Sequence, residues 1–257
     1  MKNFNPSQKT VFTCRDQFED MMTCIYDAWA SRLGHSNIKL KTEPIGNLEL
    51  FCNYHHIEED SCKSKSVIQS IQKKISLHAY IMIYRVAMSH QEDKLDTIYR
   101  FLVAGFHYGP SVIDFLQEPV VMRILELDRS VSNEAHYHRE FIRFSNLPGN
   151  VLVSHVSPKS NILSLIAPHF ADRLPSENWI IIDDTRSTAV IHPADQDYYL
   201  TTLSQKEMDH LSKKTDDPFV DLWKIFFNCI GIKERKNPTC QRNMLPLWYR
   251  KHMTEFQ

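Results

Sequence analysis

The amino-acid sequence predicts an α+β fold, with a helix-rich middle and a small sheet formed by strands from the N-terminus and from residues 150–192. Three observations carry this expectation. Between Ser66 and Phe144 apolar residues recur every three or four positions, the repeat of one helix face. TVFTC, ending at Cys14, and VLVSHV, ending at Val156, alternate apolar with small polar residues, as half-buried strands do. NWIIIDD, residues 178–184, is a continuous apolar run closed by two acids and is the strongest strand signal in the chain.

The elements follow in order. After the first strand, RDQFEDMMTCIYDAWASR sets Phe18, Met21, Met22, Ile25, Tyr26 and Trp29 at helical spacing, which predicts an amphipathic helix packed on that strand. Gly34, Pro44 and Gly46 mark a loop, and ELFCNYHHIEED adds a short strand and a further loop. KSVIQSIQKKISLHAYIMIYRVAMSH and EDKLDTIYRFLVAGFHYG are both helical in pattern. Pro110 suits a first helical turn, and residues 111–144 hold one or two further helices divided near Pro119. Pro148, Gly149 and Asn150 make a turn before VLVSHV. NILSLIAPHFADRL is helical, and TRSTAVIH returns beside NWIIIDD as a hairpin. SQKEMDHLSKKTDD leads into DPFVDLWKIFFNCIGI, an amphipathic helix with Asp217 as its N-cap and Pro218 at its first position. The chain reads as one domain over residues 1–257, with an N-terminal helical subregion 1–147 and a C-terminal α/β subregion 148–257.

Composition narrows the function classes. A chain of 257 residues holds one or two compact units, and 42% hydrophobic with 24% charged residues suits a globular protein rather than disorder. Six glycines disfavour the Gly-rich loops that cradle phosphates. Cys14, Cys24, Cys52, Cys62, Cys229 and Cys240 form no CxxC, and MKNFNPSQKT lacks the apolar stretch of a secretory signal, so reduced thiols in a cytoplasmic protein are expected. Cys24 and Cys229 lie in apolar helical patterns and read as buried. No apolar run approaches the roughly 20 residues of a membrane span. The net charge of −1 hides a basic segment, Ile232–Lys251, in which Lys233, Arg235, Lys236, Arg242, Arg250 and Lys251 face only Glu234.

Three clusters could carry chemistry. His136 and Glu140 share a helix face while His138 points elsewhere, a spacing unlike known metal-ligand pairs and more in keeping with a polar helix face. The second cluster comprises His155, His169, Asp172, Asp183, Asp184 and His192. In it His169 is the candidate base, one turn from Asp172, and Asp183 ends a strand where side chains emerge into clefts; catalytic roles for His169, Asp172 and Asp183 stand against the plain reading that the acids cap and pair locally. No metal ligand set is assigned. The third is the C-terminal tail: Arg235, Lys236, Arg242, Arg250 and Lys251 suit phosphate, and Trp248 or Tyr249 suits stacking on an exposed base, against the plain reading of a solubilising surface with Trp248 as a core plug.

YDAWASR at 26–32, EAHYHREFIRF at 134–144, LIAPHFADRLPSENWIIIDDTRS at 165–187 and LWKIFFNCIGIKERKNPTCQRNMLPLWYRKHMTEF at 222–256 resemble, in this order, a bacterial family described as probable DNA metabolism or putative DNA repair proteins. The tail has LWY at 247–249 where that family has RYW, which leaves an aromatic role intact and its assignment to one ring open. The resemblance implies a partner of a radical-SAM protein of DNA repair or modification, in a family whose domain is sometimes joined to a uracil-DNA-glycosylase-like one. The chain has no CxxxCxxC, so radical-SAM chemistry would belong to the partner, and no cofactor is implied for the chain itself. Three readings follow: a DNA-binding accessory or adaptor, a DNA- or damaged-nucleotide-processing enzyme using the His/Asp site, and a structural protein–protein module.

Overall fold

A computed structural model describes residues 9–211 and 218–256. It has the expected α+β class and divides into two compact units, one ending at Ser132 and the other beginning at Asn133. The strands fall into two sheets rather than one. Strand β1 (Lys9–Cys14) pairs parallel with β2 (Ile38–Thr42) on one side and β3 (Cys52–His56) on the other. Both edges of β1 are therefore filled by its own near neighbours in sequence, and the later strands build a separate sheet.

In the first unit, α1 (Phe18–Ala30) follows β1 and buries Phe18, Met21, Met22 and Ile25, as its spacing predicts. β2 falls where the sequence suggests only a loop, although IKLKT alternates and buries Ile38 and Leu40. The long helical stretch after it is two helices, α2 (Ser61–Lys74) and α3 (Leu77–Ala87). Asp60 caps α2 through the amides of Cys62 at 2.9 Å and Lys63 at 3.2 Å, and Ser76 caps α3 through that of Ala79 at 3.0 Å. α4 (Lys94–Tyr108) buries Leu95, Ile98, Tyr99, Phe101 and Leu102. A 3₁₀ segment, Gly109–Asp114, precedes α5 (Pro119–Phe141), which opens with Pro119 at its first position and runs through the division between the units.

The second unit is built on a five-stranded sheet: β4 (Ser145–Leu147), β5 (Val151–Val156), β6 (Asn178–Asp183), β7 (Thr188–His192) and β8 (Tyr199–Thr202), in that spatial order. Pro148–Asn150 is the β4–β5 turn, with Gly149 at φ 92° and Asn150 at φ 57°, left-handed conformations that Gly and Asn tolerate best. β5 and β6 run parallel, joined by α6 (Leu163–Arg173), and β6–β7 is the expected antiparallel hairpin. Alternation sorts the strand residues onto two faces. Val153, Ile182 and Ala189 pack with Leu203 and with Met208 of α7 (Gln205–Leu211), while Trp179 lies edge-on to Phe170 of α6. α8 (Pro218–Ile230) and α9 (Pro238–Met244) follow, and 3₁₀ segments Leu247–His252 and Thr254–Phe256 close the unit. The N-cap expected at Asp217 lies outside the described residues. All six cysteines are free; Cys24 is buried as expected, whereas Cys229 is exposed because α8 turns Leu222, Ile225, Phe226 and Ile230 to solvent rather than into a core. No helix of the described residues is long and apolar enough to cross a membrane.

Candidate functional site

α5 and α6 set a basic groove on the second unit. His136, Arg139 and Glu140 fall at i, i+3 and i+4 on one face of α5, Arg143 follows two residues past its end, and His169 and Arg173 repeat the four-residue spacing on α6. These six side chains line one cavity of about 660 Å³ whose apolar wall includes Leu152 of β5 and Phe170. Glu140 is the lone carboxylate among its described lining residues and pairs with His136 at 3.1 Å. Arg143 is held by Glu255 at 2.8 Å and lies over the Trp223 ring. Burial would raise the Glu255 pKa, yet the Arg143 contact and a backbone amide hold it below the usual carboxylate range. Arg139 and Arg173 make no ion pair with a described residue, so two guanidinium groups remain free for a ligand.

Beside the groove, across Ile142 and Arg143, the ends of β5 and β6 carry a polar network. Parallel neighbours end together, and the register that pairs Val156 with Asp183 brings His155 and Ser157 next to Asp184. His155 Nδ1 meets Asp184 Oδ1 at 2.8 Å, and His252 Nε2 lies 2.8 Å from Ser157 Oγ and 3.8 Å from Asp184 Oδ2. The Asp184 hydrogen bond raises the His155 pKa against burial; burial lowers that of His252, with Asp184 opposing. His138, pointing away from His136 as its spacing predicts, is buried against Tyr249 with ring centroids 5.1 Å apart, and burial draws its pKa down to about 4. Its Nε2 has no hydrogen-bond partner among the described residues.

The expected catalytic set does not come together. His169 lines the groove, whereas Asp172, one turn on, is exposed and bonded to no described residue. Asp183 is fully buried and accepts from the Thr185 amide at 2.9 Å, the Arg186 amide at 3.3 Å and Arg186 Nη1 at 2.9 Å. It is the β6–β7 turn carboxylate, occupied by the turn it builds. Burial raises its pKa, and Arg186 opposes the rise. His192 stacks on Trp179 at 4.9 Å with an interplanar angle of 3°, a packing role. Within this second cluster the histidine–carboxylate hydrogen bond that forms is His155–Asp184, and only the strand register joins residues that stand 29 apart in the chain.

The tail residues divide similarly. Arg235, Lys236 and Arg242 are exposed. Trp248 is 50% exposed with Lys159 Nζ 5.6 Å from its ring centroid, which leaves surface for stacking. Tyr249 instead packs among Tyr137, His138 and Phe141, and burial pushes its pKa up to about 12. Arg250 donates to the Leu245 carbonyl at 3.1 Å and covers Phe256; Lys251 Nζ reaches Ser157 Oγ at 3.2 Å. Both are fastened to their own unit. Among the described residues no group of three His, Cys, Asp or Glu side chains is placed to hold a metal ion.

No curated protein matches the sequence. A family model described as a domain of unknown function, DUF4130, matches residues 92–255, which take in α4, α5 and the second unit with its groove and network; the chain belongs to the DUF4130 family.

Proposed function

We propose that the chain is a DNA-binding accessory protein of DNA repair or modification, acting beside a radical-SAM partner that supplies the chemistry. The observation that supports DNA binding is the groove itself: Arg139 and Arg173, in no ion pair with a described residue, line one concavity with His136, His169 and the Glu255-held Arg143, and its one described lining carboxylate, Glu140, is already paired. Guanidinium groups bind phosphate oxygens in pairs, and the apolar wall at Leu152 and Phe170 suits the sugar and base edges of a strand. Exposed Trp248 offers a stacking surface on the same unit. The partner rests on the resemblance of the quoted segments to DNA-metabolism proteins.

The test is salt-titrated binding to single-stranded and duplex DNA, with Arg139→Ala and Arg173→Ala beside the wild type. Removing one arginine–phosphate interaction lowers the log–log salt slope by about 0.7 for single strands, so the double variant falls by about 1.4 in slope and binds roughly 25-fold more weakly near 0.1 M salt. An unchanged slope in the double variant would remove the groove from DNA binding.

One observation favours a second reading, an enzyme acting on DNA or a damaged nucleotide: the Ser157–His252–Asp184–His155 network borders the same groove. Product analysis of the bound DNA decides it, with Ser157→Ala and His169→Ala as controls. Conversion that collapses in either variant while folding persists would replace the accessory reading with this one.

A further inference from the structure

A second concavity lies in the first unit, outside the family match except for one residue. α1 and α2 form its sides, and Phe106 of α4 closes one end; the cavity is about 390 Å³, within the range of small-molecule sites. Ile25 and Val67 form a buried apolar floor. Tyr26 is 40% and Trp29 37% exposed, and Trp29 and Phe106 stand perpendicular with centroids 5.4 Å apart. Two rings set at right angles offer a flat guest one stacked and one edge-on contact.

The polar groups are equally selective. Ser66 and Ser70 line the α2 side, and both hydroxyl protons are committed to helix carbonyls, Ser66 to Cys62 at 2.8 Å and Ser70 to Ser66 at 2.7 Å. With the hydroxyls so directed, each turns lone pairs to the cavity and is set to accept from a guest. At the far end Lys74 is exposed, its ammonium 5.7 Å from the Phe106 centroid, and no described carboxylate pairs with it. An aromatic cleft, an acceptor side and an unneutralised cation specify a guest that is planar, carries an N–H donor edge, and bears an anion.

We propose that this cleft binds a purine nucleoside monophosphate with an exocyclic amine, its base between Tyr26, Trp29 and Phe106, its amine toward Ser66 and Ser70, and its phosphate on Lys74. Calorimetric titration of the full chain with adenosine 5′-monophosphate tests it. Saturable binding is expected, several-fold tighter than for inosine 5′-monophosphate, whose carbonyl would face the two serine acceptors, and tighter than for adenosine or inorganic phosphate alone. Lys74→Gln, at an exposed position, weakens the monophosphate about tenfold and leaves adenosine unchanged. The proposal is overturned if the monophosphate does not saturate, if inorganic phosphate or the inosine form binds equally well, or if Lys74→Gln has no effect. It is also overturned if Arg139→Ala with Arg173→Ala abolishes the binding, which would place the nucleotide in the other groove.

Discussion

Replacing Asp183 separates a catalytic carboxylate from a structural one. The side chain is fully buried and takes three hydrogen bonds, two from turn amides and one from Arg186. Bonds to a charged acceptor contribute roughly 1.5–3 kcal/mol each when well formed, and the bond at 3.3 Å is the weakest of the three. Arg186 is partly exposed and keeps the Pro158 and Lys159 carbonyls, so its guanidinium is not stranded when the acid is removed. These features place Asp183→Ala at about 3 kcal/mol of destabilisation, below the full penalty for breaking a buried pair. For a unit of this size that lowers Tm by about 10 °C. Asp183→Asn keeps the shape and one acceptor oxygen, and loses roughly half as much. Differential scanning fluorimetry read beside DNA binding and product analysis is the assay. An Asp183→Asn protein that melts with the wild type yet has lost an activity would refute the turn assignment and restore the acid to chemistry.

The other expectations rest on different parts of the molecule. His138 is held neutral by burial: its pKa falls from 6.5 to about 4, so the stability it lends is complete above pH 6.5 and is lost as pH drops toward 4, by roughly 3 kcal/mol. Tm measured against pH should show this slope, and His138→Gln should flatten it; a His138→Gln profile as steep as the wild type's would assign the slope to other groups. His155, whose pKa is raised, acts in the opposite sense, its contribution present below pH 6.5 and lost as pH rises through its folded value. Trp248→Ala should lower single-strand affinity about tenfold with little change in Tm, whereas Tyr249→Ala, which opens a packed aromatic cluster, should cost about 3 kcal/mol of stability. In α4, a Cβ at Gly105 would lie 2.5 Å from Ile75 Cδ1, the movable end of a side chain; Gly105→Ala gains helix propensity but overpacks, for a net loss of about 1 kcal/mol by urea unfolding.

Local pattern exposes most elements and few of the pairings between them. α1, α4, α6 and the β6–β7 hairpin are legible because each has an uninterrupted period of its own. The break between α2 and α3 is hidden because Ile75 continues the apolar spacing; Ser76 as an N-cap is the signal that marks it. The two-sheet division is not legible, since nothing in TVFTC says which strands flank it. Among site residues, the α5 face of His136 and Glu140 is readable and the same face takes in Arg139, whereas Arg143 lies past the helix end and joins the groove only through the fold. His155–Asp184 needs the β5–β6 register, and His252 reaches Ser157 from 95 residues away. Such pairings are properties of the tertiary fold.

The geometry of the network bears on which function the groove serves. A nucleophile relay needs the histidine to use both nitrogens, one toward the hydroxyl and one toward the carboxylate that orients it. In this chain a single nitrogen, His252 Nε2, faces both Ser157 at 2.8 Å and Asp184 at 3.8 Å, while Asp184 spends its shorter interaction on His155. Lys251 also donates to Ser157 Oγ, which fixes the hydroxyl in place. The void among these residues is about 10 Å³, at most room for one water. Ser157, Lys251 and His252 together fasten the Leu247–His252 segment to the ends of β5 and β6, and that segment carries Trp248. A network that holds the segment bearing Trp248 and lacks substrate space supports binding over turnover, and Ser157→Ala discriminates the two: for a binding role DNA affinity weakens and the wild type gives no product either, whereas a catalytic Ser157 would leave affinity unchanged and abolish a conversion seen in the wild type.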